Sequence, residues 1–404
     1  MDLVGIDEIR AAAARLTGVA DRTPIEHSRA IGREVGAEVA LKCENLQRAG
    51  SFKLRGAYNR IALMSDEERA RGVVCASAGN HAQGVALAAD MQGVAATVYM
   101  PVEAPLPKVD ATTAYGAHVR LAGSNLDETL ETAIADAEAQ GRTFVHPFDH
   151  PDIIAGQGTV GLELAEQVPH AATVVVCLGG GGLLSGIAVA MRALRPDVRL
   201  VGVQAAACAP FRDSLDAGRP VKATNEGPQT IADGIAVKRP GELTLAHVQA
   251  LVDDVVTVTD KQLADAVVLL LERAKLVAEP AGAAAVAALL SGAVHSDGPV
   301  VATISGGNID PLVLQHLVNS GLAAQGRYTS LRTSVADTPG GLSRLLSIVA
   351  DARANVVGVS HHRLEQRVQL GQVEVVLQLE TRGPEHIARL HGILEDAGYP
   401  VTTM

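Results

Sequence analysis

Four short segments carry the residue types that chemistry needs: SFKLRGA (51–57), SAGNHAQG (77–84), GGGGL (179–183) and SGGN (305–308). GGGGL follows the apolar run TVVVCL (173–178) and opens the helical stretch Leu183–Leu194. Glycines at such a turn let the backbone approach a ligand, and a helix start adds free N–H groups and a positive dipole end. The turn is a candidate anion cradle, suited to a phosphate. It lacks the Gly-Lys-Ser/Thr ending of a nucleotide loop and the full dinucleotide spacing. Tight helix–sheet packing is the competing reading. SAGNHAQG also follows a strand-like run and opens a helix. Its small residues expose N–H groups, and Asn80 and His81 add polar side chains, so it is a second anion site, for a carboxylate. Ser77 as a mere helix N-cap is the alternative. His81 taken alone reads as a helix-start residue rather than a base.

Lys53 lies between Phe52 and Leu54, and Arg rather than Lys supplies most of the 34 basic residues. A lysine among apolar neighbours is costly when charged, so its pKa should fall and its amine become a nucleophile. The alternative is a lysine that snorkels from a helix edge.

These segments sit where strands should end and helices begin. GVVCA (72–76), AATVYM (95–100), AHVRL (117–121), TVVVCL, 200–204 and 300–304 read as strands, alternating with helices such as His81–Met91. Continuous Val, Ile and Leu runs between helices indicate parallel sheets covered on both faces, with ligands beyond the strands' carboxyl ends. Residues 276–294 (LVAEPAGAAAVAALLSGAV) read as a buried helix rather than a membrane span, because Glu279 and Pro280 interrupt them. The pattern changes near Gly326. From Arg327 to Met404 the order is βαββαβ, a ferredoxin-like α+β sandwich, with 321–326 as a linker.

The chain has 404 residues, enough for two or three domains. A net charge of -11 argues against nucleic acid, and 2% aromatics leave no stacking platform for single strands. Scattered Cys43, Cys75, Cys177 and Cys208 form no Cys-x-x-Cys pair and read as reduced thiols. The acidic start MDLVGIDEIR lacks the apolar core of a secretory signal, so a cytoplasmic location and no membrane partner are expected.

Together the four segments, with FVHPFDHPDIIAGQGT (144–159), TIADGIAVKRPG (230–241) and AEPAGA (278–283), resemble the fold-type II family of pyridoxal 5'-phosphate enzymes, and within it the threonine/serine dehydratases. The resemblance runs from about Ile6 to Asn319. It implies a tryptophan synthase β-like, two-lobed α/β region over 1–322, with a small lobe at about 46–144 inserted in the large one. It also implies that Lys53 holds the cofactor as an imine and then serves as the base at Cα, with Phe52 packed near the ring. Asn80 would meet the ring 3-oxygen, Ser305 would face the pyridine nitrogen, and Gly179, Gly180, Gly181, Gly182 and Leu183 would bind the phosphate. Ser77, Gly79, Asn80 and His81 would grip the substrate carboxylate, with Ser77 also counted among the catalytic residues. The expected reaction eliminates water and then ammonia from L-threonine, giving 2-oxobutanoate, with L-serine as a slower substrate. A neutral Ser305 makes the ring a weaker electron sink, which suits elimination better than transamination.

Two departures matter. Related serine racemases carry a second serine where this chain has Ala78, so racemisation is expected to be weak or absent. They also use acids where this chain has Gln204 and Pro210, so a carboxylate-built divalent metal site is not expected. A monovalent-cation site built from carbonyls stays open.

Residues 327–404 resemble a single ACT domain, carried by the turn DTPGGLSRLL (337–346). That implies an amino-acid effector, with isoleucine, valine, threonine or serine all open. The competing role is edge-to-edge dimerisation with no ligand, and a homodimer or homotetramer is expected with either role. His361 and His362 point to opposite strand faces and read as surface residues. The rival functions are an L-serine dehydratase, a β-replacement enzyme, and a catalytically silent amino-acid sensor.

Overall fold

A computed structural model describes residues 2–223, 230–362 and 371–404. The chain divides into two compact units, Met1–Asp310 and Pro311–Met404.

The first unit opens a large sheet with β1 (Ile25–His27) and β2 (Val39–Cys43). The chain then leaves to build a small sheet from β3 (Val73–Ala76), β4 (Ala96–Met100), β5 (His118–Leu121) and β6 (Thr143–Phe144). It returns for β7 (Thr173–Cys177), β8 (Arg199–Ala205), β9 (Asp254–Val258) and β10 (Val300–Ile304). The large sheet runs β1-β2-β10-β7-β8-β9 and the small one β5-β4-β3-β6. All pairings are parallel except β1 against β2. Every residue of β2, β7 and β10 is buried, which is why β7 and β10 are almost wholly apolar, while β2 also buries Lys42 paired with Glu163. The strands expected at 173–178, 200–204 and 300–304 fall within a residue or two of β7, β8 and β10.

Residues 276–294 depart from expectation. They are largely buried, but only Ala284–Leu290 is helical. Pro280 cannot continue a helix, and Gly282 lies so close to the Gly306 carbonyl that a Cβ would sit 2.2 Å from it. The segment before the helix is therefore irregular, ending in a turn in which Ala283 N–H donates to the Glu279 carbonyl at 3.0 Å. β1, at three residues, and β6, at two, are too short to show a pattern; β9, only partly buried, and the amphipathic helix Ile6–Leu16, which buries Ile9, Ala12 and Leu16, are also not among the expected elements.

The second unit begins with the helix Pro311–Ala324. The expected linker 321–326 is thus helical through Ala324, since Leu322, Ala323 and Ala324 are strong helix formers, and Gly326 stops it at φ +66. Then come β11 (Tyr328–Ala336), the helix Gly341–Asp351, β12 (Asn355–His362), β13 (Gln372–Glu380), the helix Pro384–Asp396 and β14 (Thr402–Thr403). The sheet order is β12-β13-β11-β14, antiparallel throughout, as the ferredoxin-like reading requires. Leu331, Val335, Val375, Leu377 and Leu379 meet Leu345, Val349, Leu390 and Leu394 in one core. His361 and His362 are exposed on β12. No helix among the described residues is long and apolar enough to cross a membrane.

Candidate active site

Lys53 is the first residue of the helix Lys53–Ala62. That helix start is pinned to the end of β10: Ser51 bridges Gly306, and the Phe52 N–H donates to the Ser305 carbonyl at 3.2 Å. The helix Asn80–Asp90 presses on it from the small lobe. Gly84 allows this, since a Cβ there would stand 3.0 Å from Lys53 Cβ. Lys53 Nζ donates to the Pro147 carbonyl at 2.8 Å and lies 5.2 Å from the Phe52 ring centroid. Burial lowers its pKa to about 8, against opposing pulls from Cys177 and Glu279.

Pro147 belongs to a strap, 146–149, that crosses the four-glycine turn. Both the Phe148 and Asp149 N–H groups donate to His146 Nδ1, at 3.3 and 2.7 Å, and Asp149 Oδ1 accepts from Thr244 N–H at 2.9 Å. The Phe148 ring lies on the turn, so a Cβ at Gly180 would meet it at 2.1 Å. Gly181 adopts φ +93, a conformation that favours glycine, and Gly182 starts the helix Gly182–Leu194. Leu183 is buried at that helix start, and Gly179 abuts Ile235 of the 230–241 segment. The turn thus presents a helix N-terminus at the end of β7, directly beneath the strap that holds the lysine amine.

At the ends of β7 and β10, Cys177 Sγ donates to Ser305 Oγ at 3.2 Å, and both residues are buried. On the small-lobe side, Ser77 Oγ accepts from Gly79 N–H at 3.1 Å and holds the loop in shape. The helix itself has no side-chain cap at Gly79. His81 is buried, and its Nε2 is engaged with the Val145 carbonyl at 2.9 Å. Desolvation, helped by Lys53, lowers its pKa to about 3, so the ring is neutral and its side chain is already committed.

Asn80 is held from both sides. Its Oδ1 accepts from Asn308 Nδ2 at 2.8 Å, and its Nδ2 donates to Glu279 Oε1 at 2.5 Å. Glu279 is buried; burial pushes its pKa up to about 7, with Asp233 adding to the rise and the Asn80 bond opposing it.

The family described as pyridoxal-phosphate dependent enzymes matches residues 16–306, and the ACT domain matches residues 329–395. The chain belongs to the pyridoxal-phosphate dependent enzyme family. It is 46% identical over 399 residues to an L-threonine ammonia-lyase of Thermotoga maritima, covering 99% of both chains. Among solved structures it is similar to maize serine racemase, with TM-score 0.73 and 38% identity over 78% of this chain and 98% of that one. It is also similar to a processed threonine deaminase of Solanum lycopersicum, with TM-score 0.74 and 34% identity over 80% and 91%.

The site's residues fit the cofactor of this pyridoxal-phosphate dependent enzyme. A lysine amine of lowered pKa can form an imine. The turn that opens the helix at Gly182 is packed so closely under Phe148, Phe211 and Thr244 that only glycine fits at Gly180 and Gly181, which leaves its backbone N–H groups uncovered by side chains of its own. A buried neutral hydroxyl, Ser305, waits at the end of β10. The structure brings together all four segments singled out in the sequence. It also adds residues that sequence reasoning left without a role: Pro147, Phe148, Cys177, Glu279 and Asn308. Glu279 had a signal, as a lone acid within an apolar tract, where an unpaired charge is too costly to keep idle. Among the described residues, no group of His, Cys, Asp and Glu is arranged to hold a metal ion.

Proposed function

We propose that this chain is an L-threonine ammonia-lyase that converts L-threonine to 2-oxobutanoate and ammonia by β-elimination. The observation that carries the proposal is the Lys53 amine, of pKa about 8, bonded to the strap over the four-glycine turn. The likeness to an L-threonine ammonia-lyase along nearly the whole chain supports the choice of substrate.

Pyridoxal phosphate, when bound, supplies an electron sink that acidifies the substrate Cα. Lys53 would hold it and, once freed as a neutral amine, take the Cα proton at Nζ. The N–H groups of Gly179, Gly180, Gly181, Gly182 and Leu183 would bind its phosphate. Phe52 would pack beside the ring, Asn80 would donate to the ring oxygen, and Ser305 would face the pyridine nitrogen. Ser77, Gly79, Asn80 and His81 would hold the substrate carboxylate, with His81 contributing its backbone because its ring is engaged elsewhere. Ala78 offers no proton on the opposite face, so racemisation should be weak or absent.

L-Serine lacks one methyl, a difference of ~1–3 kcal/mol in a pocket, and serves as a slower second substrate. The catalytic region spans 1–322, and 327–404 is a regulatory module that binds an amino-acid effector at the turn 337–346. The enzyme works in the cytoplasm as a homodimer or homotetramer. The purified holoenzyme given L-threonine should release a 2-oxo acid and ammonia in equal amounts. Turnover of L-serine but not L-threonine would overturn the substrate assignment.

A further inference from the structure

Asn308 Nδ2 reaches three acceptors: the Ala49 carbonyl at 2.8 Å, Asn80 Oδ1 at 2.8 Å and Gln83 Oε1 at 3.2 Å. The Ala49 carbonyl can only accept, so the Asn308 amide orientation is fixed by an unambiguous partner. Of the two Asn308 Nδ2 protons one goes to Ala49 and the other to the nearer of the two remaining partners, Asn80 at 2.8 Å against Gln83 at 3.2 Å, so the Asn80 atom facing Asn308 is its oxygen. Its nitrogen consequently faces Glu279, where a carboxylate oxygen at 2.5 Å accepts one of its two protons. Flipping the Asn80 amide would set N–H against N–H on the Asn308 side and, with Glu279 ionised, oxygen against oxygen on the other. One Nδ2 proton stays uncommitted.

The carboxylate is itself locked in place. Glu279 N–H donates to the Gly306 carbonyl at 3.1 Å. A Cβ at Gly306 would stand 2.3 Å from Glu279 Oε1 and 3.0 Å from Asn80 Nδ2. The glycine after Ser305 therefore makes the slot that the carboxylate fills, and Pro280 holds the backbone of Glu279 out of a helix.

We infer that Glu279 is a positioning residue: with Asn308 it fixes the Asn80 carboxamide so that an N–H, and not a carbonyl oxygen, is presented to the cofactor. This rests on the pyridoxal-phosphate reading above and deepens it. An N–H stabilises a negative oxygen on the ring, whereas a carbonyl would repel it, so the acid sets the sign of the interaction without touching the cofactor. The groups that bear on Glu279 electrostatically are Asp233, Lys108, Lys53 and Cys177, besides its bond to Asn80.

The test compares wild-type holoenzyme with E279A, E279Q and N308A, using the absorbance of bound cofactor titrated with pH and the retention of cofactor on dilution. E279A should shift the pH at which the bound-cofactor band changes and weaken retention about tenfold, the scale of one hydrogen bond to a charged group. E279Q keeps an acceptor and should restore most of both. N308A should move the band in the same direction as E279A, which keeps the test alive if E279A fails to fold. Spectra and titrations of E279A and N308A that superimpose on wild type would overturn the inference. So would E279Q as impaired as E279A, because charge alone would then be what matters. A wild-type protein that takes up no cofactor would instead sink the underlying reading, a different and separately visible outcome.

Discussion

Lys53 Nζ and the Pro147 carbonyl stand 2.8 Å apart, and the next residue along that strap, Phe148, packs on the four-glycine turn. The two halves of a cofactor site, a nucleophile and an anion cradle, meet through one backbone oxygen.

The amine should behave as a group with a pKa near 8 in the cofactor-free protein. It loses its proton as pH rises through about 8, while an unfolded chain keeps it to 10.5. Between those values the unfolded state binds more protons, so stability should rise with pH there. Acylation at Lys53, read by peptide mass, should climb steeply from about pH 7 to 9. A rise only above about pH 10 would contradict the buried, neutral amine. Lys53→Ala should abolish the cofactor band and lower L-threonine turnover at least about a thousandfold, the range of a lost general base.

Two glycines near the site should respond oppositely to the same substitution. Gly181 has φ +93, and a Cβ there would meet Phe211 at 2.7 Å and Thr244 at 2.9 Å. Gly181→Ala should cost ~1–3 kcal/mol of stability, measured by denaturant unfolding, and weaken cofactor retention. Gly79 has φ -140, and a Cβ there meets nothing within 4 Å. Gly79→Ala should fold within about 0.5 kcal/mol of wild type. It should instead raise KM for L-threonine, because the new methyl would crowd a bound carboxylate. An unchanged KM would remove Gly79 from the substrate loop.

Much of this was legible beforehand, and the reasons are physical. TVVVC and VVATI are buried on both faces, so composition alone marks β7 and β10. The glycine turn and Lys53 stood out because rare residue types sat at strand-to-helix junctions. The Asn80–Glu279 pairing was not legible, because those residues lie 199 apart in sequence and nothing local couples them. The segment before Ala284 departs from the expected helix: an apolar, Ala-rich tract satisfies helix periodicity, but what shapes it is the close approach of Gly282 to Gly306, just past β10. The strap lies within FVHPFDHPDIIAGQGT, yet its hold on Lys53 is a backbone carbonyl at Pro147, which side-chain patterns do not report.

Behind Lys53 the same helix buries a charge cluster. Arg55 donates to both oxygens of Glu44 at 2.8 Å and to Glu163 Oε1 at 2.5 Å, and Lys42 also pairs with Glu163. Burial pushes the Glu44 carboxyl up, but Arg55, Lys42 and Thr23 together hold it below its ordinary value. Removing one partner leaves a buried charge, so Arg55→Leu should cost ~3–5 kcal/mol at pH 7. An abandoned Glu44 can take up a proton, so the loss should be smaller near pH 4 by denaturant unfolding. An equal loss at both pH values would mean that lost packing, not stranded charge, sets the cost.

The tail's role turns on Gly341. It starts the helix Gly341–Asp351, and a Cβ there would stand 2.5 Å from the Ala336 carbonyl at the end of β11. An amino-acid carboxylate on this helix start would need that backbone arrangement. Gly341→Ala should therefore weaken effector response in the full-length enzyme while leaving basal L-threonine turnover within about twofold, because none of the residues assigned to the cofactor or the substrate belongs to this unit. Isoleucine, valine, threonine and serine are the effectors to titrate against that turnover. A chain ending at Gly326 should keep catalysis and lose the response altogether. If either protein still responds as wild type does, the effector binds elsewhere and the tail serves to pair subunits. If no amino acid alters wild-type turnover or its thermal transition, regulation through residues 327–404 is excluded, and the exposed Val357 and Val359 on edge strand β12 become the feature to test by sedimentation.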